Sequence, residues 1–191
     1  MLDEMTGDGI CNHTRKDNEM TLEAPVTDLD TRFSTPDAKA ISWSDAEEQL
    51  KNAGVFWVST VRPEGRPHVV PLLAVWLEGA LYFGTSAGEQ KAKNLATNTQ
   101  VTITTGCNSF SEGLDIVVEG EATVVHDGAR LRRLRDAFVA KYGEGWRFPE
   151  GPGILFFEVT PIRAFGFGRG DVLAGGPWTA GARYNQTRWR F

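Results

Sequence analysis

From Val55 onward the apolar positions fall into short runs rich in β-branched and aromatic residues, separated by Pro, Gly and charged turns. Such a pattern predicts hairpins. Val55 to Arg62 is the first run, Pro63-Glu64-Gly65 turns the chain into Pro67 to Trp76, and Glu78-Gly79 turns it again into Ala80 to Thr85. The connections are too short for parallel crossovers, so these three strands are expected to form an antiparallel meander. Gln100 to Thr105 alternates as a further strand, and Asp115 to His126 reads as a long strand bent at Gly120. Ile154 to Gly168 returns to strand character, and Tyr184 to Phe191 forms a last strand or an extended tail.

Three stretches suit helices instead. Ser44 and Glu47 have the spacing of a capping box, Leu50 and Ala53 fall on the side of Ala46, and Gly54 supplies a stop. Gly88 to Thr97 turns to Glu, Gln, Lys, Ala, Asn and Leu, which suits a short helix. After Gly128, Leu131, Leu134, Phe138 and Tyr142 recur at helical spacing as a core-facing row, with Arg130, Arg132, Arg133 and Arg135 read as a solvated face. Six or seven strands joined by hairpins, with a few short peripheral helices, imply a mainly β, antiparallel barrel. Doubly wound folds fit poorly.

Charge changes the picture at one end. The 191 residues carry a net charge of -5, a field that disfavours nucleic acid as the principal partner. Residues 1–37 hold nine acids and three bases, leaving 16 of the chain's 25 acids and 17 of its 20 bases to the rest. That acidic segment shows neither period and is expected to be irregular or disordered, with one barrel domain over residues 38–191. No run approaches the roughly 18 apolar residues of a membrane span. The start of the chain has no basic stretch followed by an apolar one, so a soluble cytoplasmic protein is expected.

Cys11 and Cys107 stand far apart, and His13, His68 and His126 are scattered, which gives little support to a disulfide framework or a protein-ligated metal. The candidate chemistry lies instead in Gly84-Thr85-Ser86-Ala87-Gly88-Glu89-Gln90-Lys91-Ala92-Lys93-Asn94, where strand gives way to helix. Unpaired N–H groups, the hydroxyls of Thr85 and Ser86 and the charges of Lys91 and Lys93 could together cradle a phosphate, or simply belong to a capped surface helix. In the strand before it, Pro71 has no N–H for a sheet ladder and marks an edge or break where backbone becomes available to a ligand.

The run Val58 to Leu72 (VSTVRPEGRPHVVPL), followed by Leu81 to Thr85 (LYFGT) and Glu89 to Leu95 (EQKAKNL), resembles the pyridoxamine 5'-phosphate oxidase-like superfamily of flavin-binding split β-barrels. The closest resemblance is to its flavin/deazaflavin oxidoreductase branch, and it extends over roughly Ile41 to Phe191, including Gly113 to Ala122 and the ending Gln186 to Phe191. It implies a homodimer with FMN or the deazaflavin coenzyme F420 in a groove between subunits, F420 being favoured. The strand His68, Val69, Val70, Pro71, Leu72 would lie along the ring, using its backbone. Gly84, Thr85 and Ser86, with Gln90, Lys91 and Lys93, would receive the phosphate. Arg188 and Trp189 match a basic and aromatic ending through which related chains reach the pocket; a final edge strand with solvated arginines is the alternative.

Two positions depart from the vitamin-forming oxidases, which place an Arg-Lys pair at Gln90-Lys91 and a Gln at Asp115. An ionised Asp only accepts hydrogen bonds. The resemblance therefore implies an oxidoreductase that moves a hydride to or from a small conjugated organic substrate. The alternatives are a non-catalytic flavin- or haem-type binding module and an FMN oxidase of the pyridoxamine phosphate type. The coenzyme carries the hard chemistry, so no acid–base dyad is required of the protein; water, Tyr82 or His68 could deliver a proton. A competing pattern is Gly84-Thr-Ser-Ala-Gly88 as a nucleophile elbow, with Asp115 and His126 following in hydrolase order. That fold needs a parallel sheet, which the hairpins oppose.

Overall fold

The computed structural model describes residues 24–109, 112–151, 153–170 and 184–191. The strands are β1 (Val26–Leu29), β2 (Phe56–Val61), β3 (Pro67–Leu72), β4 (Val75–Leu77), β5 (Ala80–Ser86), β6 (Gln100–Thr105), β7 (Gly113–Val124), β8 (Ile154–Arg169) and β9 (Tyr184–Arg190). The helices are α1 (Trp43–Asn52), α2 (Gln90–Leu95) and α3 (Gly128–Tyr142), with 3-10 turns at Thr31–Phe33 and Glu144–Trp146.

All pairings among the described residues are antiparallel, in the order β1-β9-β8-β7-β6-β2-β3, with β5 also on β8 and β4 on β5. The long strand β8 organises this arrangement. Along one edge it pairs with β7; its other edge is divided, Ile154–Val159 going to β5 and Arg163–Arg169 to β9. The two ends of the path do not meet, which is the split barrel that the sequence pattern and the resemblance lead one to expect. The bend expected at Gly120 is a register shift between Glu119 and Gly120 opposite Ile162. A Cβ at Gly120 would come within 2.4 Å of the Thr160 carbonyl oxygen, so this close approach of two backbones requires glycine.

The main core is enclosed by inward residues of β2, β5, β6, β7 and β8, and is closed by Leu50 of α1, Leu95 of α2 and Trp189 of β9. A second apolar cluster lies on the other side of β5 and β8, where Leu134 and Phe138 of α3 pack on Tyr82 and Phe156.

Several elements differ from the sequence expectation, each for a tertiary reason. The run Pro67 to Trp76 is two strands: β3 pairs with β2, the chain crosses at Leu73-Ala74, and β4 pairs with β5, so there is no three-stranded meander. The cap of α1 is Ser42, not Ser44; its hydroxyl accepts from the Asp45 N–H at 3.1 Å. The helix begins there because the preceding Ile41 is buried and its N–H donates to Thr187 Oγ1 at 3.0 Å. Glu47 instead accepts from the Trp76 indole at 2.8 Å and pairs with Lys51.

Within the segment expected to be irregular, Val26–Leu29 forms β1 on β9 and Asp30 caps the following 3-10 turn; residues 1–23 lie outside those described. β1 has no apolar alternation to announce it, and its order comes from the ladder on β9. Of the four arginines on α3, Arg132 and Arg133 are exposed. Arg130 is turned inward to Glu158 and Tyr82, and Arg135 lies over the Phe156 ring.

Candidate functional site

The strand β3 is one open edge of the sheet, hydrogen-bonded among the described residues to β2 alone. An edge strand directs half of its backbone N–H and C=O groups away from its neighbour. Its side chains alternate: Val69 and Pro71 are exposed on the outer face with Trp57 across the register, whereas His68, Val70 and Leu72 turn inward and are partly covered. The five residues expected to line a ring therefore divide between two faces, and their backbone groups divide as well: those of His68, Val70 and Leu72 face β2, whereas Val69 and the Pro71 carbonyl face the free edge.

A polar relay ties this edge to α2. The Gln90 side-chain amide donates to Asn94 Oδ1 at 2.8 Å, and Asn94 Nδ2 donates to Thr60 Oγ1 at 2.9 Å. Thr60 reaches His68 across the strand pair, 3.5 Å from both its carbonyl oxygen and its ring Nδ1. Asn94 and Thr60 are both buried, so each needs the other as a partner. Partial burial, then the charges of Arg62, Lys91 and Arg66, push the His68 imidazole below its ordinary range, leaving it neutral at pH 7. Arg62 and Arg66 of the β2–β3 hairpin and Lys91 of α2 are thus near enough to His68 to act on its charge, although Lys91 is paired with Glu89 and Arg66 lies 3.6 Å from Glu64.

Lys91 is almost wholly enclosed, and its ammonium is paired with the Glu89 carboxylate. That pairing holds Glu89 below the usual carboxylate range. Thr85 is buried at the end of β5 and makes no bond of good geometry with its hydroxyl, although it helps to stabilise Glu89. Ser86 closes the turn into α2, its hydroxyl accepting from the Gly88 N–H at 3.4 Å and its carbonyl from the Glu89 N–H at 3.0 Å. Lys93 projects into solvent from the exposed side of α2.

Other expected site residues lie elsewhere. A Cβ on Gly84 would meet the Phe148 ring at 2.8 Å, so that glycine serves packing of the second apolar cluster. Trp189 is wholly buried, edge-on to Trp43 with centroids 5.4 Å apart, and fills the space left by Gly166. Arg188 reaches toward Asp30 at 3.6 Å, on a strand far from β3 in the sheet order. Tyr82 is fully buried against α3 and bonded to Glu158 at 3.0 Å; burial and that carboxylate push its hydroxyl up to about 12, which unsuits it as a proton donor. The hydrolase triad does not form. Asp115 lies near the start of β7, which rises roughly 3.3 Å per residue, and His126 two residues beyond its end, and Asp115 accepts from Arg169 at 2.5 Å.

Sequence reasoning missed Thr60 and gave Glu89 and Asn94, within the candidate stretch, no part of their own; they look like ordinary strand and helix residues until α2 is laid on β2. The i,i+4 spacing of Gln90 and Asn94 was the available signal. It also missed a cleft of about 780 Å³ bordered by Ile41, Asp45, Cys107, Leu114 and Asn185. Among the described residues, no group of three or more His, Cys, Asp or Glu could hold a metal ion, and no helix is long and apolar enough to cross a membrane.

Residues 43–165 match the pyridoxamine 5'-phosphate oxidase family. The fold is similar to an FAD-binding protein from Mycobacterium smegmatis at 18% identity and TM-score 0.51, covering 79% of this chain and 98% of that one. It is also similar to an FAD-binding protein from Mesorhizobium loti at 17% identity and TM-score 0.53, covering 79% and 96%. A haem storage protein from Vibrio cholerae matches at 19% identity and TM-score 0.52, covering 62% and 88%. No curated protein matches the chain.

Proposed function

The chain belongs to the pyridoxamine 5'-phosphate oxidase family, and from that premise we propose that it is an oxidoreductase holding a flavin-type coenzyme along β3, F420 in preference to FMN. The observation that carries this reading is geometric: β3 is an open sheet edge, and the Gln90–Asn94–Thr60–His68 contacts lay α2, with Lys91 near its start, beside it. A ring with donors and acceptors on its rim can join that edge, while its anionic end meets the cations.

The residues present fit such a group in part. Val69 offers backbone N–H and C=O and Pro71 its carbonyl, His68 offers a neutral ring, and Lys91 with the Ser86 turn stands at the start of α2 for the anionic end; Lys93 faces solvent, Gln90 is bonded to Asn94 and the Thr85 hydroxyl is buried. Gly84 and Trp189 are committed to packing and Arg188 to Asp30, so we leave them out of the site within one subunit. The preference for F420 draws on its longer anionic tail, which Arg62 and Arg66 on the β2–β3 hairpin could accompany. Lys51 is engaged by Glu47, and Arg66 itself lies 3.6 Å from the Glu64 carboxylate.

When bound, the coenzyme supplies the transferable hydride. The protein's part is positional. The β2 ladder and the Asn94–Thr60 bond hold the ring strand, Lys91 and its neighbours orient the anionic end, and the apolar outer face excludes water. We place the second protomer of a homodimer on that face, where Trp57 (48% exposed) and Val69 (53% exposed) lie on adjacent strands. A small conjugated organic molecule is the substrate class in keeping with hydride transfer.

Titration of the purified protein with FMN and with F420, followed by fluorescence quenching, tests the reading. Turnover with the coenzyme that binds, against enones and quinones, is then measured. Binding without oxidation of any acceptor makes the protein a carrier, and binding of neither coenzyme overturns the assignment.

A further inference from the structure

An edge strand is held on one side only, so the position of its free groups depends on whatever fastens its ends. At the first end of β3, Thr60 and Asn94 secure His68. The other end runs into Leu73-Ala74, where the chain leaves β2 for β4. Ala74 is buried, and both of its backbone groups are taken by the last turn of α3. The Tyr142 hydroxyl donates to the Ala74 carbonyl at 2.8 Å and accepts from the Ala74 N–H at 3.3 Å. The Lys141 ammonium donates to the same carbonyl at 3.0 Å. It lies 5.1 Å from the centroid of the Phe56 ring, and Phe56 is registered opposite Leu72, the last residue of β3.

We propose that Lys141 and Tyr142 are positioning residues: by holding Ala74 they brace the open end of β3 and pre-organise its free backbone edge for the coenzyme. This rests on the function proposed above. Neither side chain is drawn toward α2 or the cations around His68. Both are directed to a backbone crossing between two sheet pairings, a place where nothing in the strand ladders supplies a partner. A brace of this kind works by lowering the ordering that binding must otherwise supply, so its removal appears as lost affinity.

The test compares Tyr142→Phe with Arg130→Met. The first removes both hydroxyl bonds at unchanged ring volume; the second breaks the Tyr82–Arg130–Glu158 contacts near the opposite end of the same helix. Amide hydrogen exchange is read by segment, and affinity for FMN and F420 by fluorescence quenching. Tyr142→Phe should speed exchange in β3 and at Ala74 while leaving β6 and β7 protected, and should weaken coenzyme binding about tenfold. Arg130→Met should lower thermal stability with coenzyme affinity unchanged. Lys141→Arg should retain most of the affinity lost in Lys141→Met. Unchanged β3 exchange in Tyr142→Phe overturns the brace, and so does affinity that falls equally in Arg130→Met. If the wild-type chain binds neither coenzyme, the functional reading falls and the exchange data alone decide the brace.

Discussion

Lys91 and Glu89 form an ion pair at the start of α2 in which the lysine side chain is 10% exposed and the glutamate 51%. The cation proposed to meet the coenzyme's anionic end thus already carries a carboxylate that an incoming anion must compete with. Removing the competitor should strengthen binding. Glu89→Gln is expected to raise FMN or F420 affinity about threefold to tenfold, and Lys91→Met to lower it by at least as much, in titrations at fixed ionic strength. An unchanged affinity in both variants would move the anion away from α2.

The outer face of β2 and β3 carries the prediction for assembly. Trp57→Glu and Val69→Asp each introduce a charge on the face assigned to the second protomer. Light scattering after gel filtration should show a dimer for the parent chain and a monomer for the double variant. A parent chain that is already monomeric at micromolar concentration discards that arrangement.

Asp30 links the two ends of the described chain through Arg32 and Arg188. The hydrogen bond from Arg32 holds its carboxyl down to about 2 against some opposing desolvation. Because the folded value lies below the unfolded one, its stabilising contribution is present above about pH 4 and is lost as the pH falls toward 2. Thermal melts between pH 2 and 5 should show a shallower acid loss for Asp30→Asn than for the parent.

Lys141 has a linkage of the same sign in an alkaline window, although here it is the charged form that burial disfavours. Burial alone lowers its ammonium to about 8 from 10.5, so between those values the unfolded chain holds a proton that the folded chain has released. Folding stability from this group therefore rises with pH from about 8 to about 10.5. The difference in melting temperature between the parent and Lys141→Met should change across that window and be flat below it.

Gly120 tests the bend. The alanine Cβ would be pressed against a backbone oxygen that has no rotamer to escape through, so Gly120→Ala should destabilise by about 2–4 kcal/mol in urea unfolding. Gly54→Ala meets nothing within 4 Å and should fall within about 0.5 kcal/mol of the parent.

Strands and turns were legible because their signals are local: Glu78-Gly79 forms its turn with both residues at positive φ, and the helical row Leu134 and Phe138 packs as its spacing predicts. The first helix was found but its cap was misplaced, since two serines two residues apart carry the same local signal and docking of Ile41 chose between them. β1 was invisible for a related reason. A strand with three exposed residues of four has no pattern of its own and is created by its neighbour. At the site, the edge character suggested by Pro71 was legible, whereas the close approach of Phe148 to Gly84 and of Trp189 to Gly166 and Trp43 was not.

Residue order alone established an antiparallel β-rich domain, its turns, its bulge glycine and the run of polar residues after β5, because each depends on neighbours within a few positions. Which cations act together was decided only by the fold. Arg62 and Lys91 are 29 positions apart and converge on His68 because α2 lies across β2, while Arg188 is withdrawn by Asp30, 158 positions away. Coulombic and hydrogen-bonding partners are set by distance in space, and nothing in local spacing specifies that distance until the strands have paired.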